Sequence, residues 1–198
     1  MSVAGMVTDE RGVMRCGWAA STDDYIAYHD DEWGVAVHGE TPLFERLMLE
    51  AFQSGLSWLT ILRKRPAFRA AFAGFDADTV AAFGETDFAR LMADSSIVRN
   101  RLKIRASITN AQAVVRLRDL GGLDELFWSF APDAHRRPRA PAEVPATTPE
   151  SAALAKALQG NGFVFVGPTT AYAAMQACGL VDDHLAGCFR AGQGGGTR

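Results

Sequence analysis

The sequence predicts an all-α protein. Apolar residues recur at i, i+3 and i+4, as in Leu43, Phe44, Leu47, Met48, Ala51 and Phe52, the spacing of one buried helix face. Residues that start and stop helices punctuate these runs. The single strand-like run, 163–166, would have nothing to pair with.

Thr41-Pro42 reads as an N-cap followed by proline at the first helical position, and Gly55 closes that helix. Ser57 caps a short helix over 58–64, and Pro66 opens another. Asp76 and Thr86 are cap candidates before helices at 77–83 and 87–92. A long amphipathic helix over 99–120 stops at Gly121-Gly122, and a short one follows over 123–130. Five prolines in 132–149 exclude a regular helix and predict an extended surface connection. A helix over 150–158 ends by Gly160, residues 163–166 form an extended, buried connector, and Pro168 starts the last substantial helix, up to Cys178-Gly179. Residues 1–14 are expected to be a disordered tail, 15–189 one helical domain, and 190–198 a flexible glycine-rich tail.

With 198 residues, 48% of them apolar, the chain can bury a sizeable interior as one domain or as two small lobes sharing a core. No apolar run reaches the roughly 20 residues that span a bilayer, and no apolar h-region marks a secretory signal. Three cysteines, an odd number, argue against a disulfide framework and for a reducing compartment, so a cytoplasmic protein is expected. Cys178, in an apolar stretch, reads as packing. The formal net charge of −3 means that any nucleic-acid binding must rely on local basic patches. Two exist, Arg63-Lys64-Arg65 and the group Arg99, Arg101, Lys103 and Arg105, although a charge run can equally be a solvated face.

Cys16 with His29, and His184 with Cys188, form two half-sites for a metal at opposite ends of the chain. Two thiolates and two imidazoles suit tetrahedral Zn²⁺, and His184 and Cys188 would share one face of a helical turn. A single ion bound by all four would leave no open position and would be structural. The same residues also fit two buried cysteines and two ordinary histidines.

Glu50 shares a helix face with Leu43 and Leu47. A carboxylate there must find a partner, shift its pKa upward or serve a site. Trp18, Tyr25, Tyr28, Trp33 and Trp58 cluster in the same region. Such aromatics are often core, but with a nearby acid they could accommodate a planar, electron-poor base. Residues 94–103 join two helices by a short hairpin. Its N–H groups and cationic side chains would suit phosphates.

These blocks together resemble the DNA-3-methyladenine glycosylase I (TAG-type) family of the helix-hairpin-helix glycosylase superfamily. The resemblance covers about 15–188. It is carried by Arg15-Cys16-Gly17-Trp18, Tyr25-Ile26-Ala27-Tyr28-His29-Asp30, Asp31-Glu32-Trp33-Gly34-Val35, Leu49-Glu50 and Gly55-Leu56-Ser57-Trp58. Further blocks are Ile97-Val98-Arg99-Asn100-Arg101-Leu102-Lys103-Ile104, Phe127-Trp128-Ser129-Phe130, Gly162-Phe163, Phe165-Val166-Gly167 and Met175-Gln176-Ala177-Cys178-Gly179-Leu180-Val181-Asp182-Asp183-His184. It implies a helix-hairpin-helix glycosylase fold of two helical lobes, joined by one structural Zn²⁺ on Cys16, His29, His184 and Cys188. It implies a base pocket in which Glu50 hydrogen-bonds the damaged base while Tyr28, Trp18 and Trp58 line or stack on it. Gly55 and Leu56 would probe the base stack, and the 95–103 hairpin, with Arg99, Arg101 and Lys103, would grip phosphates.

The implied activity is hydrolytic excision of 3-methyladenine from alkylated double-stranded DNA, with free 3-methyladenine as product, by a monomer with no membrane role. Two positions depart from the family, which usually has glycine at Ala51 and at Ser96. Ala51 would narrow the groove beside Glu50 by a methyl, and Ser96 would be strained if its φ were positive. The helix after the hairpin lacks the aspartate many relatives use, which agrees with a leaving group that needs little help. A lesion-binding protein that does not cleave, or a helical scaffold unrelated to DNA, are the rival readings.

Overall fold

Four of the helices begin on side chains that accept from their own first turns. The Ser57 hydroxyl takes Thr60 N–H at 3.3 Å, and Asp76 Oδ1 takes Thr79 N–H at 2.9 Å. Asn100 Oδ1 takes Leu102 and Lys103 N–H at 3.0 and 3.1 Å. Thr148 and Ser151 close a reciprocal capping box at 3.2 and 2.9 Å. The computed structural model describes residues 5–193 and is mostly helical. Its α-helices are α1 Asp23–Asp31, α2 Glu40–Gln53, α3 Trp58–Ala71, α4 Ala77–Ala81, α5 Glu85–Ala93, α6 Arg101–Leu117, α7 Gly122–Trp128, α8 Pro149–Gly160 and α9 Pro168–Ala177. Asn100→Ala strips two N–H partners from the start of α6 and should cost about 1–2 kcal/mol, read as a lower midpoint in urea unfolding.

α2 is buried nearly all round, on Leu43, Phe44, Leu47, Met48, Leu49 and Phe52, so it is a core helix with neighbours on several sides. It packs against α3, α6, α7 and α9. Phe52 lies 4.6 Å from Phe68 between ring centroids, and Phe72 stacks on Phe75 at 5.6 Å. Each such ring, fully buried, contributes on the order of 2 kcal/mol. The apolar core runs from Leu43 to Val181. A small second cluster joins Met6, Cys16, Leu185 and Cys188. Among the described residues no helix is long and apolar enough to cross a membrane.

Several expectations are corrected. Residues 5–14 are not a disordered tail: strands β1 Met6–Thr8 and β2 Met14–Cys16 pair antiparallel, Met6 opposite Cys16, and the burial of Met6 against the second cluster explains it. Residues 1–4 and 194–198 lie outside the described residues. The part of the glycine-rich tail that is described is tethered by Gly192 N–H on Asp182 Oδ2 at 2.8 Å, just after Phe189 N–H meets Met14 O at 2.9 Å.

α3 continues through Pro66 because Ile61 and Phe68, on one face, are both buried; packing outweighs the lost hydrogen bond. α2 starts from Gly39, not Thr41, with Gly39 N–H held by Asp124 Oδ2 at 2.7 Å. Gly84, not Thr86, caps α5, and Asp87 accepts its N–H at 3.2 Å. α6 ends at Leu117 and tightens into a 3-10 turn over Arg118–Leu120, before Gly121 at φ 98°. The 163–166 connector is only half buried: Phe163 and Val166 point inward, whereas Val164 and Phe165 are exposed.

Candidate active site

Glu50 sits where the apolar face of α2 meets a cleft. It is 7% exposed, and among the described residues no donor reaches its carboxyl. The cleft, of about 240 Å³, is lined by Trp18, Tyr25, Tyr28, Trp33, Glu50, Gln53, Trp58, Ala173 and Gln176. Drug-sized ligands occupy roughly 300–1,000 Å³, so this space suits one planar base. Tyr28 comes from α1, and its ring lies 5.2 Å from Trp58 at the start of α3. Trp18 meets Tyr25 and Trp33 edge-on at 5.3 and 5.1 Å. The sequence-predicted Glu50, Tyr28, Trp18 and Trp58 are therefore brought together. Ala51 does not line the cleft, so its methyl narrows nothing there.

Burial pushes the Glu50 carboxyl up to about 8, against the pull of Arg46 one turn earlier. Arg46 does not pair with it. Its Nη2 donates to Glu32 Oε2 at 2.7 Å, while Arg65 holds Glu32 at 2.6 and 2.7 Å. Burial, then the neighbouring Glu50, drives the Tyr28 hydroxyl well above its ordinary range. The Trp58 Nε1–H is buried with no protein acceptor.

Gln176 was not anticipated as a site residue. Asp183 Oδ2 accepts its Nε2–H at 2.7 Å and the Tyr172 hydroxyl at 2.6 Å, and Asp183 Oδ1 lies 2.9 Å from His135 Nε2. An ionised carboxylate only accepts, so the amide is fixed with Nε2 toward Asp183 and Oε1 left over.

The predicted metal ligands converge at the back of the aromatic wall. Cys16 ends β2, His29 lies on α1, and Cys188 lies in the C-terminal segment; their ligand atoms are all within 4.8 Å of one another. His184 stands outside that trio, but its ring is 4.8 Å from that of His29 and its buried Nε2 has no partner. Each histidine uses Nδ1 on a carboxylate, His29 on Asp30 at 2.8 Å and His184 on Asp182 at 2.9 Å. That leaves both Nε2 atoms for a metal, as where a carboxylate orients a zinc-bound histidine through its other nitrogen. The neighbouring Cys188 sulfur, with burial, raises the Cys16 thiol, while Cys16 and then His29 lower Cys188. The donor set therefore fits a closed structural zinc. Contrary to expectation, His184 and Cys188 lie in turns and not on a helix.

The 94–100 segment is a turn between α5 and α6. Ser96 does not have positive φ; its N–H and hydroxyl both bind Asp94 Oδ1, so the serine there is unstrained. The N–H groups expected to point outward from α6 are partly used, two of them by Asn100. Arg99, Arg101, Gly55 and Leu56 are exposed, and Gly55 takes the left-handed φ of 81° that ends α2.

Lys103 is the correction among the basic residues. It is 6% exposed, and its ammonium donates to Phe52 O and Ser54 O at 2.7 and 2.6 Å. It caps the end of α2 and is not free for phosphate. The basic spacing gave no sign of this, because orphaned carbonyls at a helix end invite a cation only once tertiary contacts bring one there. Asp30 and Asp182, which orient the two histidines, were not anticipated either, although each lies within two residues of its histidine.

The methyladenine glycosylase family matches residues 18–191. The DNA-3-methyladenine glycosylase 1 of Escherichia coli (strain K12) is 47% identical over 177 residues, covering 88% of this chain and 95% of that protein. A crystal structure of 3-methyladenine DNA glycosylase I (TAG) superposes with a TM-score of 0.85 at 46% identity, covering 88% of this chain and 98% of that one. A tyrosine-to-phenylalanine variant of 3-methyladenine DNA glycosylase I (TAG), in complex with 3-methyladenine, superposes with a TM-score of 0.84 at 31% identity, covering 89% and 97% of the two chains.

Proposed function

This chain belongs to the methyladenine glycosylase family, and we infer from that premise and from its cleft that it is a DNA glycosylase excising 3-methyladenine from alkylated DNA. The observation that carries the reading is Glu50, a buried, unpaired carboxyl on the wall of an aromatic cleft the size of one base. The nucleotide is flipped out of the duplex, at a cost that the lesion lowers. Methylation at N3 makes adenine a cationic leaving group. Trp58 and Tyr28 attract that cation through their ring faces. Glu50 accepts from the exocyclic amino group, and the free Gln176 Oε1 supplies a second acceptor on the same wall. Guanine presents a carbonyl at the corresponding edge and would meet two acceptors. Water attacks C1′, the bond from C1′ to N9 breaks, the base leaves neutral, and the spare proton goes to solvent. α6 carries no acid, in keeping with a bond that is already weak.

Zinc is part of the proposal, on Cys16, His29, Cys188 and His184, with no open coordination position. It would fix the wall that Trp18 and Trp33 form, since Trp18 lies 5.4 Å from His29 and Trp33 lies 4.7 Å from His184. We read α5, the 94–100 turn and α6 as the helix-hairpin-helix, with Arg99 and Arg101 on phosphates and Gly55 and Leu56 against the base stack. The domain is taken as 15–189 extended by the hairpin. The enzyme is taken as a monomer, and as cytoplasmic, in keeping with free cysteines.

Release of 3-methyladenine from methylated duplex, resolved by chromatography from 7-methylguanine, tests the activity. Tight binding without release would favour a lesion sensor. Alanine at Arg99 and Arg101 should weaken binding to all sequences alike and flatten the salt dependence by about one ion each. Lys103→Ala should leave that slope unchanged and lower thermal stability, read by the same titration and a melt.

A further inference from the structure

The segment between α8 and α9 exposes an aromatic ring at an energetic cost. Phe163 and Val166 anchor it at 2% and 1% exposure, while Val164 and Phe165 stand out at 44% and 42%. Phe165 has φ 61°, a left-handed conformation that a non-glycine residue adopts only at a penalty. Ala73 and Phe75 share that region, but they flank the turn at Gly74, and Phe75 is rewarded by complete burial. Phe165, 42% exposed, has no such burial to offset the penalty, only the Lys103 ammonium over its ring at 5.8 Å. Strain of this kind persists where the surroundings over-determine it, and it clusters at functional sites.

The surroundings here are specific. Asn110, fully buried on α6, accepts Val164 N–H on Oδ1 at 2.7 Å and donates Nδ2–H to Val164 O at 3.0 Å. Seven residues earlier, on the same face of α6, Lys103 holds the carbonyls of Phe52 and Ser54. Its Nζ also lies 5.8 Å from the Phe165 ring centroid. One helix face thus clamps two projections side by side: the 54–57 loop with Leu56, 40% exposed, and the Phe165 turn.

We propose that Phe165 is a second apolar contact on the DNA duplex, packing against the bases beside the extruded nucleotide next to Leu56. This rests on the glycosylase reading and its assignment of the 54–57 loop to the base stack. Duplex DNA is the occupant because the ring is continuous with that loop through Lys103, which holds the Ser54 carbonyl at 2.6 Å and lies 5.8 Å from the Phe165 ring.

The test uses Phe165→Ala and Phe165→Gly in the full chain. Binding to a duplex with a stable abasic analogue, read by fluorescence anisotropy, should weaken about tenfold in both variants, the usual scale of one lost base–aromatic contact. Single-turnover release of 3-methyladenine from duplex should fall with it. Inhibition by free 3-methyladenine should be unchanged, because the cleft is untouched. Phe165→Gly should melt no lower than the parent, since glycine accepts the backbone conformation. Unchanged duplex binding in both variants overturns the proposal. So does an equal loss of free-base and duplex binding, which would make the ring a support of the cleft. A parent protein that binds the abasic duplex but releases no base fails the glycosylase reading instead, leaving the binding comparison to decide this one.

Discussion

Replacing Glu50 by alanine or glutamine should lower kcat/KM for 3-methyladenine release from alkylated duplex by about 10–150-fold. That range corresponds to losing one hydrogen bond to a charged group, about 1.5–3 kcal/mol. The Glu50→Gln variant keeps the shape of the wall and one carbonyl acceptor but loses the negative charge that the cationic base needs, so it should fall at the lower end of that range and alanine at the upper. Unchanged release would remove Glu50 from the mechanism.

The raised pKa adds two pH signatures. The unfolded chain ionises this carboxyl near 4.5, whereas the fold holds its proton up to about 8. The unfolded state therefore gives up the proton first as pH rises. Stability from this group is complete below pH 4.5 and is lost as pH climbs to about 8. Glu50→Gln lacks that slope, so its melting temperature should gain on the parent's across that window. Activity should run the opposite way: the cationic base prefers the carboxylate, so kcat/KM should rise toward a plateau above about pH 8. A flat profile in the parent between about pH 6 and 9 would contradict the assignment.

The second large effect is expected from metal removal. Purified protein should carry about one zinc per chain, measured by elemental analysis, held by one closed four-ligand site. Structural zinc supplies about 10–16 kcal/mol of apparent folding free energy in small domains. Even a modest fraction, at about 2–4 °C per kcal/mol for a chain of this size, should lower Tm by more than about 10 °C. Cys16→Ser and His184→Ala should reproduce the loss of metal, stability and base release together. Metal-free protein that melts as the parent does would show that the four side chains are packing alone.

Local chemistry made much of this molecule legible. Ser57 and Asp76 cap because their side chains reach their own backbone, and Glu50 was conspicuous as an acid on an apolar face. What stayed hidden depended on distant partners. Strands β1 and β2 are three residues each, too short to pattern, and exist because Met6 and Cys16 pack on Leu185 and Cys188. Pro66 looked like a boundary because nothing local announced that both sides of it would be buried. Lys103 looked like its arginine neighbours until the end of α2 gave it carbonyls to hold. Gln176 and Asp183 are seven residues apart in the chain, but the bond between them appears only when the segment after α9 folds back on that helix.

The meeting of β2, α1 and the C-terminal segment also sets a timetable for synthesis. Trp33 leans on His184, and His29 sits against Cys188, so the wall of the base cleft is braced by side chains synthesised long after it. A nascent chain that has already made Glu50, Tyr28 and Trp58 still lacks that brace. Such long-range closure is slow and late in folding. A chain made only that far therefore lacks the brace of its cleft, which is completed when the segment carrying His184 and Cys188 docks.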